Sequence, residues 1–147
     1  MEELKMLSLS GLFLAAFIAA TLLPGQSEAV LLALVFVGLH PVWLLVTVAS
    51  AGNVLGSLVN WVIGRFMMRY AGHHRFPFTS EQIARARGWY GRWGWMSLWA
   101  SWVPIIGDPL TLAAGIMREP LWRFLLIVTL AKAGRYVALV LIARAAV

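Results

Sequence analysis

The feature that most constrains the fold is an apolar stretch, residues 7–39, which is broken once, at Leu23–Glu28. Its 33 residues would extend over roughly 50 Å as one α-helix, whereas about 20 residues are enough to cross a bilayer. The proline and glycine at the break interrupt an α-helix. The stretch is therefore predicted to form two half-helices, either as a re-entrant hairpin or as an unwound span.

The composition requires an integral membrane protein. Hydrophobic residues make up 61% of the chain and charged residues 12%, against about 45–50% and about 25% in soluble domains. A soluble fold of 147 residues has no interior large enough for so much apolar surface. The chain contains no cysteine, which excludes disulfides, thiolate catalysis and cysteine metal sites. Residues 1–147 are predicted to form a single membrane domain.

The remaining elements follow from the positions of the prolines and the apolar runs, and they predict an all-α fold. After the first broken-helix hairpin, 7–39, we expect a transmembrane helix over 41–64, a basic cytoplasmic loop over 65–93, a second broken-helix hairpin over 94–117 and a transmembrane helix over 120–143. The hairpin breaks are expected at Pro24, Gly25, Pro104, Gly107 and Pro109. A proline is favoured at the start of each crossing helix.

The segment from Arg65 to Arg92 holds six arginines against one acid, Glu81. A nucleic-acid or lipid-headgroup patch would have this composition. A cytoplasmic membrane loop has it by default under the positive-inside rule, and we favour that interpretation. Contact with anionic headgroups follows from the same location, and nucleic acid is not an expected partner.

Within this loop, Thr79 or Ser80 is predicted to cap a short helix that continues to Arg87. The adjacent His73 and His74 have no acidic or cysteine partner beside them in the sequence. Histidines without such partners are usually surface residues, so we predict no metal site. The sequence contains no cofactor signature, and no cofactor is expected.

The two halves of the chain resemble each other at an offset of 79–80 residues. The matched positions are Pro24 with Pro104, Glu28 with Asp108, Pro41 with Pro120, Trp43 with Trp122 and Arg65 with Arg144. Repeats with interrupted helices in equivalent places indicate a transporter-like site near the bilayer midplane. Re-entrant hairpins would make the two halves an inverted repeat with both termini outside, whereas spanning segments would put the termini inside. Both arrangements place the same excess of lysine and arginine on the inside of the membrane, so the positive-inside rule does not choose between them, and both stay open.

Four ionisable residues lie inside the apolar segments: Glu28, Asp108, Lys132 and Arg135. Lys132 is about 12 residues from each end of its helix, roughly 18 Å, which is too deep for easy snorkelling. Charges at this depth are costly and usually functional. We predict that Asp108 pairs with Lys132 or Arg135 and that Glu28 uses the same cations. The pairs would either fix the packing or form a site for an anionic headgroup or a proton.

The helix over 41–64 carries one face of small and polar residues at helical spacing: Asn53, Gly56, Ser57 and Asn60. Small residues allow membrane helices to pack closely, and polar residues can line a cavity. Both interpretations stay open. We include Asn53 and Asn60 with the four charged residues in a candidate substrate or proton pathway.

Four segments of the chain together form a pattern specific enough to indicate a protein family. They are Ala20–Glu28, Gly52–Gly56 with Asn60 and Gly64–Arg65, Ser101–Asp108, and Lys132–Tyr136. Together they resemble the DedA family, which is the SNARE-associated Golgi protein or VTT-domain superfamily, and most closely its short YqaA-like branch. The resemblance covers about residues 8–142. It implies two re-entrant hairpins that face each other from opposite leaflets. It also implies translocation of polyprenyl phosphates or phospholipids, dependent on the proton-motive force in some bacterial members.

The resemblance assigns the acid of the family's first hairpin to Glu28. The family's second hairpin has the pattern Arg-Phe-x-Pro-x-x-Arg, which here reads Ser101-Trp-Val-Pro-Ile-Ile-Gly107, so both arginines are missing. In the family these arginines are the expected phosphate and coupling groups, and we hypothesise that Lys132 and Arg135 replace them. The family's acid in the following helix is also missing, and Asn53 is the nearest polar residue.

We therefore expect a multi-pass protein of the bacterial inner membrane that translocates or scrambles a lipid or lipid phosphate, coupled to protons, in envelope homeostasis. Its expected partners are membrane lipids with anionic or polyprenyl-phosphate headgroups, and a cavity with so few walls favours a homo-oligomer. The alternative is a non-transporting scaffold whose buried charges are structural. An enzyme is not expected, because no intramembrane histidine or nucleophile–base pair is evident in the sequence and the candidate serines are expected to have no base beside them.

Overall fold

The computed structural model describes residues 2–21, 26–70, 73–74, 76, 78–103 and 106–146. The described residues form helices and connections, without a strand. The α-helices are α1 (Glu2–Thr21), α2 (Gln26–Val37), α3 (Val42–Phe66), α4 (Ser80–Trp93), α5 (Gly107–Ile116) and α6 (Leu121–Ala145). Two 3₁₀ helices cover Met68–Tyr70 and Gly94–Trp102. The all-α prediction is confirmed.

Among the described residues, three helices are long and apolar enough to cross a membrane: α1, α3 and α6. Their outward faces carry large apolar side chains, including Leu14 on α1, Leu55 on α3 and Leu141 on α6. Exposed apolar faces on such long helices are expected where lipid is the solvent. The fold is that of an integral membrane protein. The prediction of two half-helices within 7–39 is wrong for α1, which begins at Glu2 and has 20 residues.

Close packing between α1 and α3 uses the small residues of α3. A Cβ atom at Gly52 would overlap the carbonyl oxygen of Phe13, and one at Gly56 would overlap Ala20. Because the later residue of α3 contacts the later residue of α1, the two helices run in the same direction. The small-residue face of α3 is thus a packing face, as one of the two interpretations expected.

Helices α3 and α6 run in opposite directions. The indole N–H of Trp61, near the end of α3, donates to the carbonyl of Glu119, just before α6. Near the middle of both helices Lys132 contacts Asn53. Both helices have 25 residues, and both begin and end 79 residues apart. The structure therefore repeats the offset found in the sequence.

Each of these helices follows a short helix and a tight turn. α2 has 12 residues and is followed by Gly38, and α5 has 10 residues and is followed by Met117 and Arg118. Gly38 (φ 79°) and Arg118 (φ 58°) both adopt the left-handed conformation that commonly ends a helix. The two short helices thus occupy equivalent places in the two halves.

The second broken segment is a 3₁₀ helix followed by α5. Nine residues of 3₁₀ helix, Gly94–Trp102, rise about 2.0 Å each and so extend about 18 Å, as far as the 12 α-helical residues of α2. The backbone of Ser101 lies against Gly107, where a Cβ would overlap the Ser101 carbonyl. α5 then packs on α3 through Gly64 and Gly115, each of which faces backbone of the other helix.

Two of the predicted breaks are wrong in detail. Gly107 and Pro109 are the first and third residues of α5 and lie inside the helix. Proline is tolerated there because the first helical N–H groups have no intrahelical acceptor. The other predicted breaks, Pro24, Gly25 and Pro104, lie outside the described residues.

The segment predicted as a basic loop, 65–93, is mostly helical. α3 extends to Phe66, and α4 continues to Trp93 rather than to Arg87. Thr79 is the N-cap of α4: its hydroxyl accepts from the Gln82 N–H (3.1 Å), and the Gln82 side chain accepts from the Thr79 N–H (2.9 Å). This reciprocal capping box fixes the start of α4.

Candidate functional site

The first part of the candidate site is an ion pair between α5 and α6. Lys132 Nζ lies 3.2 Å from Asp108 Oδ1 and donates to Asn53 Oδ1 at 2.6 Å. The side chain of Lys132 is only 2% exposed. Asn53 also donates from Nδ2 to the carbonyl of Ala16 at 2.9 Å. A single ammonium group therefore connects α3, α5 and α6, and Asn53 extends the connection to α1.

The second part is an ion pair between α2 and α6. Arg135 approaches Glu28 Oε1 to 2.9 Å through one terminal nitrogen and donates to the carbonyl of Trp102 at 3.2 Å through the other. Beside it, the hydroxyls of Ser27 and Tyr136 are 2.9 Å apart. The guanidinium thus joins α2 to the end of the 3₁₀ helix, using the two arms of its planar fork.

Both acids occupy the first turn of a short helix, Glu28 in α2 and Asp108 in α5. A negative charge is stabilised there by the partial positive charge of the helix N-terminus. Their partners, Lys132 and Arg135, are three residues apart and share one face of α6. We call Glu28, Asn53, Asp108, Lys132 and Arg135 the charged cluster. The structure brings these five predicted residues together.

Asn60 does not belong to the charged cluster. It lies seven residues after Asn53 in α3, about 10 Å along the helix axis, and its amide donates to the Ala20 carbonyl (2.9 Å) and to Thr111 Oγ1 (3.2 Å). It therefore joins α1, α3 and α5 where these helices pack together.

Some buried polar atoms beside the cluster have no hydrogen-bond partner within the described part of the chain. They include Ser101 Oγ and Arg135 Nε. Ser101 directly precedes Trp102, whose carbonyl binds Arg135. Buried polar atoms normally have partners, so unpaired ones at this point leave donors and acceptors available for a further group. Ser101, Ser27 and Tyr136 were not among the predicted site residues, although each lies within a segment that carries the family resemblance.

A second polar contact falls outside the predictions. The buried carboxylate of Glu119, before α6, accepts from the Tyr90 hydroxyl of α4 and from Arg123 Nε. Burial, together with the hydrogen bond to Glu119 and its charge, raises the pKa of Tyr90 well above the usual range for tyrosine. The phenol therefore remains a donor, and it fastens α4 to the end of α5 and the start of α6.

The expectation that no serine has a base beside it is wrong for Ser8. Its Oγ lies 2.8 Å from Nε2 of His40. The same hydroxyl donates to the carbonyl of Lys5 at 2.8 Å, so in this arrangement the imidazole donates to the serine and does not act as its base. Among the described residues, no group of three or more His, Asp or Glu side chains could hold a metal ion.

Comparison of the sequence with known protein families shows which family the chain belongs to. A sequence model described as the VTT domain matches residues 23–145, which include both short helices and the whole charged cluster. The chain belongs to the VTT-domain (DedA) family. The family resemblance of the sequence is thereby confirmed.

Relatives of this VTT-domain protein occur in bacteria. The inner membrane protein YqaA of Escherichia coli K12 is 44% identical over 134 residues, which cover 90% of this chain and 88% of YqaA. An uncharacterized protein of Haemophilus influenzae is 35% identical over 140 residues, covering 90% of this chain and 85% of the relative. No solved structure matches the chain. With three helices long enough to span, this VTT-domain protein is a multi-pass protein of the inner membrane.

Proposed function

We propose that the protein translocates or scrambles a lipid or lipid phosphate across the inner membrane, in support of envelope homeostasis. The observation that carries the proposal is the charged cluster: two ion pairs at the first turns of two short helices, on one face of a helix long enough to span. Ionisable groups at membrane depth usually mark a substrate or proton pathway.

The proposal includes the architecture of the site. α2 and α5 have 12 and 10 residues, about 18 and 15 Å, and neither can cross a hydrocarbon core of about 30 Å. In the proposed arrangement α2 with the end of α1, and the 3₁₀ helix with α5, form two re-entrant hairpins of an inverted repeat. Their acidic ends would then meet near the midplane, as in transporters built from interrupted helices.

Arg135 is the proposed group that exchanges partners. Its two terminal nitrogens are held by Glu28 and by the Trp102 carbonyl, while Nε has no partner in the described structure. A proton taken up by Glu28 would weaken the ion pair and release one arm of the guanidinium. That arm and Nε could then bind a headgroup phosphate bidentately, and loss of the proton would restore the ion pair.

Lys132 and Asp108 are proposed to form a second anion-binding pair, with a role like that of Arg135 and Glu28. Two of the three ammonium donors are used by Asp108 and Asn53, which leaves one for a passing phosphate oxygen. Glu28 and Asp108 lie in the first turns of α2 and α5, where the helix dipole favours an anion. Asn60 would line the path nearer the end of α3. No catalytic step is part of this proposal.

The test is lipid flipping in proteoliposomes, followed by dithionite quenching of labelled lipids. Wild type should flip at least one of phosphatidylglycerol, phosphatidylethanolamine or a polyprenyl phosphate, and Glu28→Gln and Lys132→Met should reduce the rate at least tenfold. Glu81→Gln removes an exposed acid of α4 and should leave flipping unchanged. Absence of flipping by the folded wild type for every lipid tested would contradict the proposal.

A non-transporting scaffold is the second candidate, and one observation favours it. Each ionisable group of the charged cluster already has a partner of opposite charge, as a purely structural role requires. A scaffold predicts that Glu28→Gln lowers the unfolding free energy without changing the flipping rate. Measuring stability and flipping on the same preparations separates the two candidates.

A further inference from the structure

A groove outside the charged cluster opens between α4, the 3₁₀ helix and α5. It has a volume of about 370 Å³, and its lining is apolar except for Ser97; the apolar residues are Trp89, Trp93, Met96, Ala100, Ile106 and Leu110. Trp93 and Met96 form an exposed rim, whereas Leu110 is fully buried and forms the floor. The groove is large enough for a ligand, since small-molecule pockets begin at about 300 Å³.

A smaller, more polar hollow adjoins the groove. Trp89 and Ile106 also line this hollow of about 90 Å³, which is bounded by Gln82 and Arg85 of α4 and by Glu81. In the described part of the chain no carboxylate lies within 4.0 Å of the Arg85 guanidinium, although Glu81 lines the same hollow. The two hollows share the walls formed by Trp89 and Ile106 and so lie side by side, an apolar slot next to a hollow that holds the Arg85 guanidinium.

The helix that carries this groove exposes arginines on the side away from the protein core. Ile83, Ala86 and Tyr90 of α4 are buried in the protein core, whereas Arg85 and Arg87 are exposed. Exposed arginines with tryptophans at one end of the helix are typical of a segment at the membrane–water interface. The surrounding segment, Arg65–Arg92, has six arginines and one acid, so its charge complements anionic lipids.

We propose that this groove is a binding site for one anionic phospholipid. One acyl chain lies in the slot along Ala100 and Leu110, and the headgroup phosphate contacts Arg85. The occupant is a lipid because an acyl chain matches the apolar slot, and an anionic head complements the adjacent Arg85 and the arginine-rich segment around it. The site includes no residue of the charged cluster, so its occupancy does not depend on the translocation proposed above.

The test uses the delipidated full-length protein in detergent, titrated with phosphatidylglycerol or phosphatidylcholine and analysed by native mass spectrometry. Arg85→Gln should weaken phosphatidylglycerol binding about fivefold, as expected for one arginine at a lipid surface, and should leave phosphatidylcholine unaffected. Arg87→Gln, an exposed arginine that does not line the groove, is the matched control and should change neither.

A second variant tests whether the acyl chain lies in the apolar slot, by filling the slot with a larger side chain. Ala100→Phe should reduce binding of both lipids, and Ala84→Phe, at an exposed position of α4 away from the groove, should not. Equal losses in Arg85→Gln and Arg87→Gln would mean general surface attraction and would overturn the proposal, as would unchanged binding in a folded Ala100→Phe. Should Ala100→Phe fail to fold, the arginine pair still decides the outcome.

Discussion

Replacement of Lys132 by methionine is the most informative perturbation of the charged cluster. Methionine keeps most of the side-chain volume, but it removes the ion pair with Asp108 (3.2 Å) and the hydrogen bond to Asn53 (2.6 Å). Asp108 is then left without its cation beside three packed helices. Lys132 is 2% exposed and Asp108 23%, so water relieves this loss only at the carboxylate.

The expected loss of unfolding free energy in Lys132→Met can be calculated from these contacts. Removing one partner of a buried ion pair costs about 3–5 kcal/mol, and the partial exposure of Asp108 puts the value near 3 kcal/mol. The bond to Asn53 adds about 0.6 kcal/mol, the average for interhelical hydrogen bonds in membranes. The double variant Lys132→Met/Asp108→Asn has no unpaired charge and should lie within about 1 kcal/mol of wild type. The coupling between the two positions is therefore at least about 2 kcal/mol.

The assay is equilibrium unfolding in mixed micelles with increasing SDS, followed by helical circular dichroism. Arg144→Met is the matched control, since Arg144 is an exposed cation in the last turn of the same helix and should change stability by less than about 0.5 kcal/mol. A double variant as unstable as Lys132→Met alone would refute the reasoning, because it would show that the loss does not come from an uncompensated Asp108.

Other parts of the fold give three further predictions. Gly64→Ala places a Cβ against the α5 backbone and should cost about 1–3 kcal/mol in the same unfolding assay, whereas Gly134→Ala in α6 meets open space and should stabilise by up to about 1 kcal/mol; equal effects would contradict the packing of α3 on α5. Because the pKa of Tyr90 is raised in the folded protein, the stability it contributes is complete below pH about 10, the unfolded value, and falls at higher pH. Hydrogen exchange of α4 should therefore be unchanged from pH 7 to pH 9 after correction for intrinsic rates, while Tyr90→Phe should be less protected throughout, and a wild type that loses protection below pH 9 would contradict this. Thr79→Ala should cost α4 about 1 kcal/mol of local stability, seen as faster exchange in its first turn, and Ser80→Ala should not; the reverse result would assign the cap to Ser80.

The crossing helices could be predicted closely from the sequence because their limits are set locally. Predicted limits of 41–64 and 120–143 compare with Val42–Phe66 and Leu121–Ala145. Prolines fix the starts, and apolar runs of transmembrane length fix the rest. An ion pair of Asp108 with either Lys132 or Arg135 was also predicted, since an isolated charge at membrane depth requires a partner; only the packing of α5 on α6 selects Lys132.

Features that depend on tertiary contacts or on fine backbone geometry could not be predicted. The sequence of the tryptophan-rich segment after Arg87 is compatible with an interfacial loop or with a helix. In the structure α4 continues through this segment to Trp93 and stops there, because Gly94 adopts a positive φ of 62°. The contacts of Ser8 with His40 and of Tyr90 with Glu119 join residues 32 and 29 positions apart. No local pattern indicates such pairs, because the packing of different helices decides which polar groups meet.

The contact between Lys132 and Asn53 has a consequence for the symmetry of the molecule. The two residues are 79 positions apart and are each the twelfth residue of their helices, so each contacts the residue at the equivalent position of the other helix. A lysine in both places would set two ammonium groups against each other, and an asparagine in both would leave Asp108 without its present cation. The ion pair at this contact therefore requires different residues at the two equivalent positions.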